Sequence, residues 1–332
     1  MSRGTNQKLK LIYLMKILLE KTDDEHSLTL VEILNELAKY DITAERKSIY
    51  ADFESLRLFG LDIISEARNR TVYYHIGSRD FELAELKLLV DSVQSSKFIT
   101  EKKSRQLIKK LEGFASKYEA KDLHRQVYVQ GRIKTMNESI YYNVDEIHQA
   151  IAKNVQITFQ YYQWNADKEI ELRHDGSFYK ISPWELMWDD ENYYLIAYDN
   201  NQERIKHFRV DKMINISLLD DKREGRTLFD KIDRASYSKK RFGMFDGEEQ
   251  TVKIECENRF AGVIIDRFGK DVSIRKTDNE HFVVNVDVAV SGQFIGWLIA
   301  LGEGVRVIGP ESVISKIKDR IDTVSKLYES KT

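Results

Sequence analysis

The 332-residue chain has one cysteine (Cys256), two prolines (Pro183 and Pro310) and seven scattered histidines. A lone thiol excludes an internal disulfide framework and a cysteine-built zinc site. The histidines form no His-x-His or His-Glu-x-x-His spacing, and no Gly-x-Ser-x-Gly elbow occurs. The glycines of "LGEGVRVIG" follow an apolar helix and lack a dinucleotide or Walker spacing, which reads as a turn. No paired carboxylates, metal cluster or activated nucleophile stand out, so no catalysis, cofactor or metal is expected. No apolar run reaches the roughly 18 residues a membrane span needs. The N-terminus lacks a signal cleavage site. The expected place is the cytoplasm, away from membranes.

A net charge of −2 rules out a polycation. Any nucleic acid must be met by a local basic patch. An apolar fraction of 42% with 32% charged residues describes a soluble globular protein. The length calls for two or three domains. The pattern along the chain predicts an α+β, multidomain architecture: residues 1–80, a helical connector over 81–140, a β-rich domain over 141–222, a linker over 223–250 and a final domain over 251–332.

The first block predicts three helices and a hairpin. Leu11, Leu14, Met15 and Leu18 share one face of a helix over about Lys8 to Glu20. Thr29 with Glu32 is a capping box that opens the second helix. A third helix opens at Thr43 or Ala44 and stops near Gly60, with Ile49, Phe53 and Leu56 on its core arc. Arg46, Lys47, Ser48, Tyr50 and Arg57 form the cationic and aromatic arc beside it. "LDIISEARNRTVYYHIG" then makes a hairpin whose tip carries Arg68 and Arg70. Together these make a winged helix-turn-helix, with double-stranded DNA as the expected partner. Taken alone, the arc is also what a solvated helix face looks like, and the two arginines what an ordinary turn looks like.

Two amphipathic helices, about Glu82–Ser96 and Glu101–Tyr118, suit a connector or dimer contact. From Tyr141 the pieces are β-rich: "VQITFQYYQ", "SFYKISPWELMWDD", "ENYYLIAYDNN" and "ERIKHFRVDKMINISLL". With their polar turns they suggest a small antiparallel barrel. Asp189-Asp190-Glu191-Asn192 reads as a hairpin turn rather than a metal run. Alternation places Tyr194, Ile196 and Tyr198 on one face of their strand, and His207, Arg209 and Asp211 together on another. Lys180 and Tyr162 sit in neighbouring strands. Such a face suits an anionic, stackable ligand; a structural Arg209–Asp211 pair beside core tyrosines accounts for it equally well. The remaining order, β-α-β-β-α-β and a last helix from Glu311, suggests a ferredoxin-like C-terminal domain.

"SPWELMWDDENYYLIAYDNNQERIKHFRVDKM" resembles the signature of the WYL-domain transcriptional regulators. Its triplet is Tyr193-Tyr194-Leu195, with Tyr in place of the leading Trp, and Lys212 replaces a common Arg. "AERKSIYADFESLRLFGLDI" is similar to the helix-turn-helix of the same proteins, with Ala51 where a basic residue is common, and the part from "TVKIECENRF" onward resembles their WCX extension. The resemblance implies an Sm-like β-barrel that senses an anionic ligand, a nucleotide or single-stranded nucleic acid. Its pocket positions are Tyr162, Lys180, Tyr193, Arg204, His207 and Arg209. It also implies a bacterial homodimer, with the WCX part aiding ligand contact or dimerisation. The competing expectation is an accessory module whose barrel binds RNA or a protein partner, its N-terminal helices serving only as a dimer platform.

Overall fold

The computed structural model describes residues 6–123, 134–233, 237 and 239–329. Parts of the expected connector (124–133) and linker (234–236 and 238) lie outside the described residues. The protein is a mixed α+β chain of two compact units, Met1–Glu138 and Ser139–Thr332.

In the first unit, α1 (Lys10–Lys21), α2 (Leu30–Ala38) and α3 (Arg46–Phe59) precede the hairpin β2 (Ile63–Arg68) and β3 (Thr71–Ile76). A two-residue strand β1 (Leu28–Thr29) joins the sheet in the order β1-β3-β2. Leu14, Ile17 and Leu18 of α1 pack with Ile33, Leu37, Ile49, Phe53 and Leu56 in one core. Leu11, expected in that core, is 37% exposed, and Ile17 takes the inward position instead. The Thr29 hydroxyl and the Glu32 carboxylate satisfy each other's backbone N–H groups as a capping box. The α3 helix begins at Arg46, not at Thr43 or Ala44. Glu45 is extended and caps it without a side-chain bond, so Thr43 and Ala44 belong to the turn. At the far end Gly60, with φ 112°, supplies the left-handed residue that closes the helix.

The connector contains α4 (Leu83–Ser95), α5 (Glu101–Glu112) and α6 (Glu119–Leu123) around Leu86, Val90, Ile108, Ala115 and Leu123. The helix expected to reach Tyr118 stops at Glu112. Ser116 explains the restart, because its hydroxyl accepts the N–H groups of Tyr118 and Glu119 at 3.2 and 3.1 Å. The same hydroxyl donates to Asp23 at 2.5 Å, and His26 stacks on Tyr118 with ring centroids 3.7 Å apart.

The second unit opens with α7 (Ile140–Lys153), whose Ile140, Ile147 and Ala150 are fully buried. Strands β4 (Val155–Trp164), β5 (Ile170–Leu172), β6 (Tyr179–Asp189), β7 (Asn192–Asp199) and β8 (Arg204–Arg209) form an antiparallel path β5-β4-β6-β7-β8, and β9 (Met213–Lys222) pairs β4. The β6–β7 turn is Asp190-Glu191, both with positive φ, the geometry of a two-residue hairpin. The run "ERIKHFRVDKMINISLL" is not one strand. A 3₁₀ turn at Val210–Lys212 divides it, and the chain leaves β7 to pair with β4.

This sheet curls without closing through its backbone, since β8 has no described strand on its outer side. Side chains bridge the seam: Phe208 of β8 packs edge-on against Phe159 and Tyr161 of β4 at 5.1 and 5.7 Å. The Arg209 backbone N–H also donates to the Tyr161 hydroxyl at 3.1 Å.

The span expected to be a linker packs on the sheet. Short helix α8 (Arg226–Phe229) brings Phe229 onto Trp184, with centroids 5.1 Å apart. Tyr237 and Met244 join Tyr194 and Ile196 in the same apolar cluster. Beyond it come β10 (Glu248–Glu257), α9 (Ala261–Phe268), β11 (Ile274–Lys276), β12 (His281–Val290), α10 (Gly292–Ala300), β13 (Val305–Gly309) and α11 (Glu311–Tyr328). Their antiparallel sheet runs β11-β12-β10-β13 over a Val- and Phe-rich core. Among the described residues no helix is long and apolar enough to cross a membrane, and no group of His, Cys, Asp and Glu is placed to hold a metal ion.

Candidate functional site

Two surfaces carry the expected residues, one in each unit. On α3, Arg46 and Lys47 are exposed in the first turn and Tyr50 is 48% exposed one turn on. Ile49 and Phe53 bury the neighbouring arc of the helix in the core, which leaves these three at its exposed edge. Ser48 accepts a hydrogen bond from the Lys10 ammonium, which also pairs with Asp52 at 2.6 Å. Arg57 faces inward on the domain: its Nε and Nη2 donate to the Ile63 carbonyl at 3.1 and 2.8 Å, and Nη1 donates to Glu54 at 2.6 Å. It therefore ties α3 to the start of the hairpin. Thr43 is exposed in the preceding turn. At the hairpin tip Asn69 and Arg70 have φ values of 47° and 67°, which projects Arg70 into solvent. Arg68 pairs with Glu66 and lies over the Tyr73 ring, 5.6 Å from its centroid.

The second surface is a cleft of about 690 Å³ along the open seam between β8 and the β4–β5 side. Seven of the lining side chains are Lys, Arg or His, and one, Asp246, is a carboxylate. Arg209 stands at its centre, held by others. Its Nε and Nη2 make a bidentate pair with Asp211 at 3.0 and 2.8 Å, and Nη2 also donates to Asn192 at 2.9 Å. Lys206 pairs with Asp199 at 2.6 Å. Arg173 lies over the Tyr161 ring at 5.9 Å, Arg204 donates to the neutral Gln202 at 3.0 Å, and Lys212 also lines the cleft. Among the described residues these last three form no ion pair, though the Arg204 and Asp246 charges act on each other. Burial first, then the neighbouring Arg209 charge, lowers the Lys212 ammonium below the usual range.

Aromatic walls complete the cleft. Tyr161 and Tyr179 sit in the ring cluster around Phe159 and Phe208, and Tyr194 stands across from Arg209 in the β7–β8 register. Burial pushes the Tyr161 phenol up to about 12, so it keeps its proton at neutral pH. The neighbouring loop is strained: His174 and Asp175 have successive positive φ values of 55° and 51°.

The expected pocket residues divide. Tyr162, Arg204, His207 and Arg209 line the cleft. Tyr162 is buried and donates its hydroxyl to the Asp211 carbonyl at 3.1 Å, which supports the turn after Arg209. Lys180 lines a smaller adjoining cleft and pairs with Asp221 at 2.7 Å. Tyr193 lies on the other face of β7, edge-on to Trp188 at 4.7 Å, and Tyr194 takes the place at the cleft. Sequence reading missed Arg173, Tyr194, Lys206 and Asp246. Lys206 alternates away from His207 and Arg209, and only an edge strand lets both of its faces reach one cleft.

Two family models match the chain: the WYL domain over residues 142–218 and the WCX domain over residues 248–324. The chain thus carries a WYL domain followed by a WCX domain, and most of the cleft-lining residues lie in the WYL match. A solved structure similar to it is proteasome accessory factor B/C (PafBC) of Arthrobacter aurescens, at 18% identity and a TM-score of 0.29; the match covers 99% of this chain and 50% of that one. The chain therefore spans about half the length of that relative. A comparison with curated proteins finds no match.

Proposed function

We propose that the protein is a DNA-binding transcription regulator whose WYL cleft takes an anionic, stackable ligand, a nucleotide or a short single-stranded nucleic acid. The cleft carries this reading: Arg173, Arg204 and Lys212, which form no ion pair among the described residues, stand with Tyr161, Tyr179 and Tyr194 in one cationic and aromatic lining that suits a phosphate-bearing, stackable ligand. In this reading the first unit is a winged helix-turn-helix. Arg46, Lys47 and Tyr50 meet duplex DNA in the major groove, and Arg68 and Arg70 meet the adjacent backbone. The last domain is read as ferredoxin-like. The protein acts as a homodimer in the cytoplasm, without catalysis, and the ligand favours one of two dimer arrangements.

The test is a gel shift of the full chain on duplex fragments selected from genomic DNA, with and without added oligodeoxynucleotides. The expected result is a shift whose affinity changes with the oligonucleotide. Arg173→Ala with Lys212→Ala should abolish that change while leaving the shift. A shift indifferent to every oligonucleotide and nucleotide tried contradicts the ligand reading. Absence of any shift favours the accessory-module alternative.

A further inference from the structure

Among the described residues, the one carboxylate lining the WYL cleft comes from outside the WYL domain. Asp246 lies in the segment 239–247, just before the first WCX strand, and its carboxylate stands 3.2 Å from His207 Nδ1. A carboxylate only accepts, so Nδ1 carries the proton between them. The other imidazole nitrogen, Nε2, is 2.8 Å from the Tyr237 hydroxyl. Both partners of this 5%-exposed imidazole therefore come from the span between β9 and β10. Gly243 and Met244, with φ values of 60° and 57°, turn the chain there. The turn sends Phe242 into the WCX core, where it meets Phe294 and Trp297 at 5.3 Å, and brings Asp246 to the cleft. The Asp246 side chain is 60% exposed and touches the barrel through His207, so little packing resists its departure.

We infer that Asp246 is a built-in counter-anion: its carboxylate holds the place of a ligand phosphate at His207 and Arg204, and an incoming anion must displace it. The inference rests on the reading of the cleft as an anion site. Displacement has a direct mechanical consequence. Asp246 lies four residues after Phe242 and two before β10, so freeing it loosens the WCX domain's hold on the WYL sheet. Ligand binding and the release of this segment are then one event, and the segment reports occupancy of the cleft to the WCX domain.

The experiment measures fluorescence anisotropy of labelled pentathymidylate, at fixed salt, with the full chain and its Asp246→Asn and Asp246→Glu forms. Asp246→Asn removes the competing charge, and affinity is expected to rise about five-fold or more, the worth of one unit charge at close range even in bulk water. Asp246→Glu keeps the competitor and should stay within about two-fold of the unsubstituted chain. If the unsubstituted chain binds the probe and Asp246→Asn binds equally or more weakly, the inference fails while the cleft reading stands. If none of the three binds, the cleft reading fails and the inference with it. A second readout does not depend on the variant folding. The His207 ring-nitrogen resonances of the unsubstituted chain should move when the probe binds, and a bound probe that leaves them in place overturns the displacement.

Discussion

Arg209 shows how one side chain can look like a ligand residue and be held as a structural one. Its guanidinium fork is filled by Asp211 and Asn192, so it shapes the cleft with its charge already paired. Arg209→Ala would take the bidentate guanidinium away from Asp211, a residue that is 8% exposed. A loss of about 2–3 kcal/mol in denaturant unfolding is expected, and Asp211→Ala combined with it should cost markedly less than the sum of the two. Lys212→Ala, by contrast, should weaken anionic ligands at unchanged stability. Gly225 is a second fixed point. A Cβ there would come within 2.1 Å of the Tyr198 ring at a φ of +77°, so Gly225→Ala should cost about 2 kcal/mol or more. Asp246 gives the pH dependence. The His207 hydrogen bond first, then the His207, Arg241 and Arg204 charges, hold its carboxyl below the usual carboxylate range against the opposing effect of burial. A depressed folded pKa stabilises fully above the unfolded value of about 4 and is lost as pH falls through the folded one. An acid titration should therefore show the Asp246–His207 contact released only below about pH 4, and Asp246→Asn should remove that step.

The elements were legible wherever local chemistry decided them. The Thr29–Glu32 box, the Gly60 stop and the Asp190-Glu191 turn are written in adjacent residues, and each stands where its residue types direct. What the sequence did not disclose depends on distant partners. The break at Val210–Lys212 exists because β9 must reach β4, and no local signal marks it. Tyr193 and Tyr194 differ by one position, and only the register opposite Arg209 selects Tyr194 for the cleft. Asp246 was invisible for the same reason, since 39 residues separate it from His207 along the numbering. The hairpin at Arg68–Thr71 offers its own test. Arg70 occupies a left-handed position that glycine fills more easily. Arg70→Gly should stabilise the first unit by about 0.5–1 kcal/mol while weakening DNA binding, and the salt slope should fall by about one unit if Arg70 meets a phosphate. A variant that gains stability and loses no affinity would remove Arg70 from the DNA surface.

At the scale of the molecule, both proposed nucleic-acid contacts depend on local charge. A chain of net charge −2 has no global attraction for nucleic acid, so each contact must come from a local array. The exposed Arg46, Lys47 and Tyr50 of α3 make one array, and the WYL seam with Arg173, Arg204 and Lys212 makes the other. The most direct measurement is the salt dependence of duplex DNA binding by the full chain, compared with its Arg46→Ala, Lys47→Ala form. Affinity should fall steeply and linearly in log salt, as phosphate contacts release counterions. The slope in the variant should be shallower by about two contacts. A flat response, or identical slopes in the two proteins, would contradict DNA binding through α3.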